Sequence, residues 1–279
     1  MPEMPEVEII RRGLDDKLRG RKILSVEILL GRQIKWPGAE NFRAMVTGRT
    51  FTGALRVGKY LLLTLDDGGE IVFHLRMTGH IVFNRQPAQD KYARIRFLLN
   101  DNATLVYGDA RTLGCVWGLK QGERYRIKGL AEMGAEPLSD EFTPQYLQNV
   151  CAKRKLTIKQ LLLEQKAIGG IGNIYADEAL FAAKIHPLAV AGALTKSEIT
   201  NLHAAINKVI ADGINDGGTT FRDYQNADGG KGRHAENLFV YGRKGQPCKI
   251  CRAAIEKITV GGRGTHFCPL CQKRDNETV

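Results

Sequence analysis

The last 32 residues hold four cysteines as two Cys-x-x-Cys pairs, Cys248 with Cys251 and Cys268 with Cys271, with sixteen residues between the pairs. Each pair can place two thiolates on one tetrahedral ion, and the intervening stretch is long enough for a β-hairpin to fold back. Four sulfur ligands leave no open position. The spacing therefore predicts one closed, structural Zn2+ site, whose metal supplies folding energy that so small a unit lacks in its own core. The remaining cysteines, Cys115 and Cys151, stand alone. Such clustering fits a reducing compartment and not a secreted disulfide framework. Arg263, flanked by glycines in VGGRGTHFC, falls at the expected hairpin tip, where it can approach a phosphate closely.

The chain has 279 residues, about two domains' worth. It carries 41 basic against 30 acidic residues, a net charge of +11. A balance that basic points to a polyanionic partner, nucleic acid or an anionic membrane surface. The start, MPEMPEVEII, lacks the basic-then-apolar order of a signal peptide, and no run of 18 apolar residues is present. The expectation is an intracellular protein that does not enter the membrane.

Val7, Ile10, Leu14 and Leu18 recur at helical steps after Pro5, so a helix is expected almost at the chain start. From Arg21 to about Trp117 come short β-rich runs (RKILSVEILL, TFTGAL, KYLLLTL, EIVFHLRM, ARIRFLL, TLVYGD) separated by turn signals such as DDGG and NDNA. These suggest a β-sandwich or barrel-like domain. From about residue 140 the spacing turns helical in YLQNVCAKRKLTIKQLLLEQ, YADEALFAAKI and KSEITNLHAAINKVIADGI, interrupted by turns at GGIGN and HPLA. Residues 217–237 are polar, glycine-rich and without period, and are expected to form a long functional loop.

Two further segments carry chemistry. Lys153, Arg154, Lys155 and Lys159 cluster where no acid occurs between Glu141 and Glu164, and GGIGNIY then leads into a helix. A glycine-rich turn before a helix presents free N–H groups and a positive dipole end to a phosphate. At the other end, removal of Met1 would leave Pro2 with a secondary amine, which can attack an electrophilic carbon and form a cationic iminium adduct. The helix that follows lowers the pKa of that amine, and Glu3 and Glu6 offer carboxylates for proton transfer.

MPEMPEVE, RVGKY, HLRM, DARTLG, GAEPL, GGIGNIYADE, VYGRKGQPC and the cysteine ribbon form a colinear set. Together they make the chain resemble the formamidopyrimidine-DNA glycosylase family, bacterial base-excision enzymes grouped with endonuclease VIII. The resemblance spans essentially the whole chain. It implies an α+β fold of two domains, an N-terminal β-sandwich preceded by a helix and a C-terminal helix–two-turn–helix domain with a zinc-bound β-hairpin. The implied segments are 1–130 (catalytic), 131–238 (DNA-binding, including the lesion-capping loop at about 217–237) and 239–279 (zinc hairpin).

By the same resemblance, Pro2 is the nucleophile at the sugar C1′, and Glu3 the acid that helps open the sugar ring. Lys59 serves proton transfer in β-elimination, and Arg263 contacts phosphate and assists δ-elimination. DNA-contacting positions are Glu6, His74, Met77, Tyr92, Arg111, Leu113, Lys153, Lys155, Asn173 and Tyr241. Of these, Met77, Arg111 and Leu113 fill the gap left by the extruded base and meet its orphaned partner. The implied partner is damaged double-stranded DNA, bound by a monomer in the bacterial cytoplasm or nucleoid. The implied substrates are 8-oxoguanine and formamidopyrimidines, with strand cleavage by β,δ-elimination and no cofactor beyond one structural zinc. Three positions depart from the family pattern: Leu113 replaces an aromatic wedge, Thr112 a basic residue, and Tyr92 a frequent histidine. Two alternatives remain: an endonuclease VIII-like preference for oxidised pyrimidines, and a DNA-binding protein without catalysis.

Overall fold

The computed structural model describes residues 2–84, 90–220 and 224–274. The chain divides into two compact units, one of residues 1–131 with 213–235, the other of residues 132–212 with 236–279.

In the first unit, α1 (Met4–Leu18) begins at the Glu-Pro-rich start that the sequence favours. Two sheets follow, built from β1 (Ile23–Ile28), β2 (Ile34–Trp36), β3 (Phe51–Val57), β4 (Tyr60–Leu65), β5 (Glu70–His74), β6 (Gly79–Asn84), β7 (Ala93–Leu99), β8 (Thr104–Asp109) and β9 (Cys115–Leu119), with a short helix α2 (Ala39–Val46) after β2. One sheet has the order β2-β9-β5-β4-β3, the other β1-β7-β8-β6. Only the β2–β9 pair among these is parallel.

Leu61, Leu63, Ile71 and Phe73 from the first sheet and Ile81, Ile95, Phe97 and Leu105 from the second share one fully buried core. Val7, Ile10, Leu14 and Leu18 complete it, so the helical stripe expected from the sequence is the packed face of α1. Asp15 fixes the helix on β3 by accepting the Ala54 N–H at 2.7 Å. The opposite face of the first sheet buries Leu62, Val72 and Leu119 against Ile127 and Leu130 of α3 (Lys128–Ala131) and its approach. A sandwich with a leading helix is thus formed. The sequence reading did not pick out β2, β6, β9 and α2.

The second unit holds α4 (Pro144–Cys151), α5 (Ile158–Leu163), α6 (Asn173–Ala182), most of α7 (Lys196–Asn215) and a hairpin of β10 (Glu256–Val260) and β11 (Arg263–Phe267). Leu147, Ile158, Leu161, Leu180, Leu202 and Ile206 form its core. The long helical stretch expected across YLQNVCAKRKLTIKQLLLEQ is two helices. Lys153 takes a left-handed φ of 60°, and Thr157 starts α5 as an N-cap in a capping box with Gln160.

By compactness, residues 213–235 group with the first unit. The reason is packing. Tyr224 and Ala227 join the sandwich core, the Phe83 N–H donates to Ala227 O at 3.0 Å, and Gly13 admits Ala227 against α1, where an added Cβ would stand 2.8 Å from the Ala227 Cβ.

Candidate active site and nucleic-acid interface

At the start of α1, Pro2, Glu3 and Glu6 are all buried. Glu6 Oε2 accepts the Glu3 N–H at 2.8 Å, and Oε1 accepts the Thr219 N–H at 2.8 Å. Tyr224 donates its hydroxyl to Glu6 O at 3.4 Å. One carboxylate therefore ties the residue next to Pro2 to the returning segment 213–235. Glu6 is 1% exposed, and both of its carboxylate oxygens accept backbone N–H groups. The fate of Met1 lies outside the described residues.

Lys59 follows Gly58 in the two-residue turn joining β3 to β4, where Val57 pairs with Tyr60 and Gly58 takes a φ of 57°. His74, at the end of β5, packs edge-on to Tyr60 at 4.7 Å and accepts the Arg76 N–H on Nδ1 at 3.2 Å. Burial first, then the charges of Arg76 and Lys59, push His74 down to about 3. The imidazole is therefore neutral at physiological pH and offers its Nε2–H as a donor, beside two cations suited to a phosphate. Behind this turn, Arg56 reaches Glu8 at 3.2 Å. Burial raises the Glu8 carboxyl, but hydrogen bonds from Arg11 and Arg12 and the charges of Arg11 and Arg56 outweigh that and hold it below the usual carboxylate range.

Met77 and Leu113 are exposed apolar side chains, 40% and 47% accessible, on two separate loops. The Arg111 N–H donates to Thr78 Oγ1 at 3.0 Å, which draws the loops together. The set expected to enter DNA thus forms one edge of the first unit. Tyr92, 40% exposed, lies in the turn just before β7: its carbonyl accepts the Asp109 N–H at 2.9 Å, and Lys91 lies over its ring at 4.9 Å.

In the second unit, Lys153, Arg154 and Lys155 are exposed at the break between α4 and α5. Lys159 is not part of that surface, contrary to expectation. Its ammonium is fully buried and donates to Asp177 Oδ1 at 2.5 Å and Asn173 O at 3.0 Å. The α5 helix turns Lys159 inward because it sits beside Ile158, Leu161 and Leu162 on the buried face. Asp177 Oδ2 accepts the His266 N–H at 2.8 Å, so one acidic residue on α6 holds both α5 and β11. Asn173, first residue of α6, donates to Gly264 O at 2.8 Å, directly beside Arg263. Gly261 and Gly262, with φ of 54° and 75°, make the two-residue turn that leaves Arg263 exposed at the hairpin tip. Tyr241 meets His266 edge-on at 5.1 Å, and its N–H is one of three from residues 239–241 received by Glu178.

The four cysteines converge as their spacing predicts, with all Sγ atoms within 4.8 Å of one another. Cys248 and Cys271 are separated by 3.9 Å and Cys251 and Cys268 by 3.4 Å, against an ideal edge of ~3.8 Å for a tetrahedron of Zn–S bonds. The Ile250 and Cys271 N–H groups point at Cys248 and Cys268 sulfurs at 3.4 and 3.5 Å, which favours thiolates. The donor set fits one structural Zn2+.

A family model for the formamidopyrimidine-DNA glycosylase N-terminal domain matches residues 1–116. One for its H2TH domain matches 133–225, and one for a zinc finger found in FPG and IleRS matches 245–274. Formamidopyrimidine-DNA glycosylase of Symbiobacterium thermophilum is 45% identical over 98% of this chain and 89% of its own length. The chain belongs to the formamidopyrimidine-DNA glycosylase family. The glycosylase of that name from Bacillus cereus is 42% identical over 98% of this chain and 100% of its own. Among solved structures, a Lactococcus lactis FPG mutant with Fapy-dG-containing DNA aligns with a TM-score of 0.91 at 36% identity, over 98% of this chain and 100% of that one. MutM (FPG) from Thermus thermophilus aligns with a TM-score of 0.88 at 37% identity, over 97% and 98%. The geometry adds Thr78 and Asp109 to the residues singled out in the sequence, and gives Glu6 a partner that the sequence does not show. Their roles depend on partners 31 to 213 residues away.

Proposed function

We propose that the chain is a bifunctional DNA glycosylase and AP lyase of base-excision repair, which removes oxidised purines such as 8-oxoguanine and formamidopyrimidines from duplex DNA. The observation that carries this reading is the buried start of α1, where Glu3 adjoins Pro2 and is fixed by Glu6. With Met1 removed, the Pro2 nitrogen attacks the sugar C1′ and the damaged base leaves with the glycosidic electron pair. The ring C1′–O4′ bond then opens, Glu3 protonating O4′, and an iminium remains on C1′. That cation acidifies the C2′ proton. Its loss, aided by Lys59, expels the 3′ phosphate, and a second elimination aided by Arg263 expels the 5′ phosphate.

His74, Lys153, Lys155, Asn173 and Tyr241 bind backbone or neighbouring groups of the DNA, and Tyr92 lies against the strand. Met77, Arg111 and Leu113 occupy the gap in the stack, at a cost in unstacking of a few kcal/mol. Residues 1–130 act as catalytic module, 131–238 as DNA grip and 239–279 as zinc hairpin, with residues 217–237 capping the lesion. The enzyme works as a monomer on nucleoid DNA in the bacterial cytoplasm; among the described residues no helix is long and apolar enough to cross a membrane. Zinc shapes the hairpin and takes no part in bond breaking.

Borohydride trapping on an 8-oxoguanine:cytosine duplex, with mass spectrometry of the adduct's terminal peptide, tests this. The expected adduct is on Pro2. Trapping only with an oxidised-pyrimidine duplex would transfer the chain to the endonuclease VIII type of specificity, and binding with no adduct on either would leave docking alone.

A further inference from the structure

We propose that Asp109 is a positioning residue that locks the Met77 and Leu113 loops into a single rigid wedge; this rests on the reading of Met77, Arg111 and Leu113 as the stack-filling set. Asp109 closes β8 and is fully buried. Its Oδ1 accepts the Thr78 hydroxyl at 2.6 Å and the Arg111 N–H at 3.2 Å. Its Oδ2 accepts the Gly114 N–H at 2.8 Å and Gln33 Nε2–H at 2.8 Å. One carboxylate thus gathers the residue after Met77 and the residues on each side of Thr112–Leu113. Thr78 closes the ring, because its oxygen also accepts the Arg111 N–H at 3.0 Å.

Each loop needs such a clasp. Arg76 and Thr112 both sit at left-handed φ, 53° and 54°, next to a wedge residue. A non-glycine residue holds that backbone only when its surroundings over-determine it. The phenol of Tyr107 stands 3.5 Å from Oδ2 and takes a hydrogen bond from Gln33 Nε2 at 3.1 Å. Burial, then the charge of Asp109, raise the Tyr107 pKa, so the floor of the clasp stays a neutral phenol. A leucine fills less of a vacated base position than an aromatic residue would. Rigid delivery of the two loops together is how this chain keeps the gap filled.

The decisive variant is Asp109→Asn, which turns one of two acceptor oxygens into a donor facing donors. Thr78→Val removes the bridging hydroxyl alone, and serves if the first variant folds poorly. Three readouts are compared: single-turnover excision from an 8-oxoguanine:cytosine duplex, fluorescence of 2-aminopurine placed beside the lesion, and cleavage of a preformed abasic site in a single strand. The wedge has no stack to enter in the last of these. With one or two buried donors left unmatched, excision falls about 10- to 100-fold for Asp109→Asn. The fluorescence rise is lost, and single-strand cleavage stays within about twofold. Unchanged duplex excision in both variants, or an equal loss on the single strand, overturns the proposal. A Met77→Ala/Leu113→Ala protein that excises normally would instead overturn the wedge reading beneath it.

Discussion

Replacing Lys159 by Met tests the buried pair that ties α5 to α6. The Lys159 and Asp177 side chains are both 0% exposed and meet at 2.5 Å. Met keeps the apolar stem but removes the charge, leaving the Asp177 carboxylate in the interior with the His266 N–H as its nearest remaining donor. Stranding one member of such a pair costs about 3–5 kcal/mol. In a unit of this size each kcal/mol moves the unfolding midpoint by about 3–5 °C, so the drop is about 10–20 °C. Differential scanning calorimetry of the full chain reads it as displacement of the transition of the unit holding α4 to α7. Lys159→Met/Asp177→Asn, which removes the stranded charge while keeping an acceptor for His266, recovers part of the loss. A shift of less than about 2 °C for the single variant, the size of an ordinary surface change, would refute the reasoning.

Pro2→Gly replaces the secondary amine by a primary one: excision of 8-oxoguanine is lost, while duplex affinity in a filter-binding or anisotropy assay stays within a few-fold. Cys268→Ala releases zinc and loosens the hairpin that displays Arg263, so affinity falls and the slope of log K against log salt decreases by about one. His74 gives a stability signature. Its folded pKa, about 3, lies below the ordinary histidine value of 6.5, so the unfolded chain binds the extra proton between those values and stability falls as pH drops through that window. Between pH 6.5 and 5 the loss is about 2 kcal/mol, seen as a lower urea midpoint in the parent and absent in His74→Gln.

What was legible in the sequence was whatever is encoded by spacing along one element or one short loop. The α1 stripe and the two Cys-x-x-Cys pairs are of that kind, and each appears in the structure as its pattern requires. Lys159 shows the limit. In sequence it is one more cation in a basic run, and its inward direction follows from where α5 starts, which Lys153 and the Thr157 cap decide. The Thr-x-x-Gln capping signal was present and could have split the long helical stretch. Glu6 and Asp109 were less accessible still. Both stood inside motifs that carry the family resemblance, but their work is done with Thr219 and Thr78, and no local pattern reveals a hydrogen bond across 213 or 31 residues.

The first unit is assembled from two stretches of chain, with residues 132–212 made in between. During synthesis the amino-terminal end therefore leaves the ribosome long before Thr219, Tyr224 and Ala227 exist to hold Glu6 and seal the sandwich around α1. A nascent or prematurely terminated chain carries the proline but not its clasp. Completion of the fold around Glu6 therefore waits until most of the polypeptide, including the helical unit's α4 to α6, has been made.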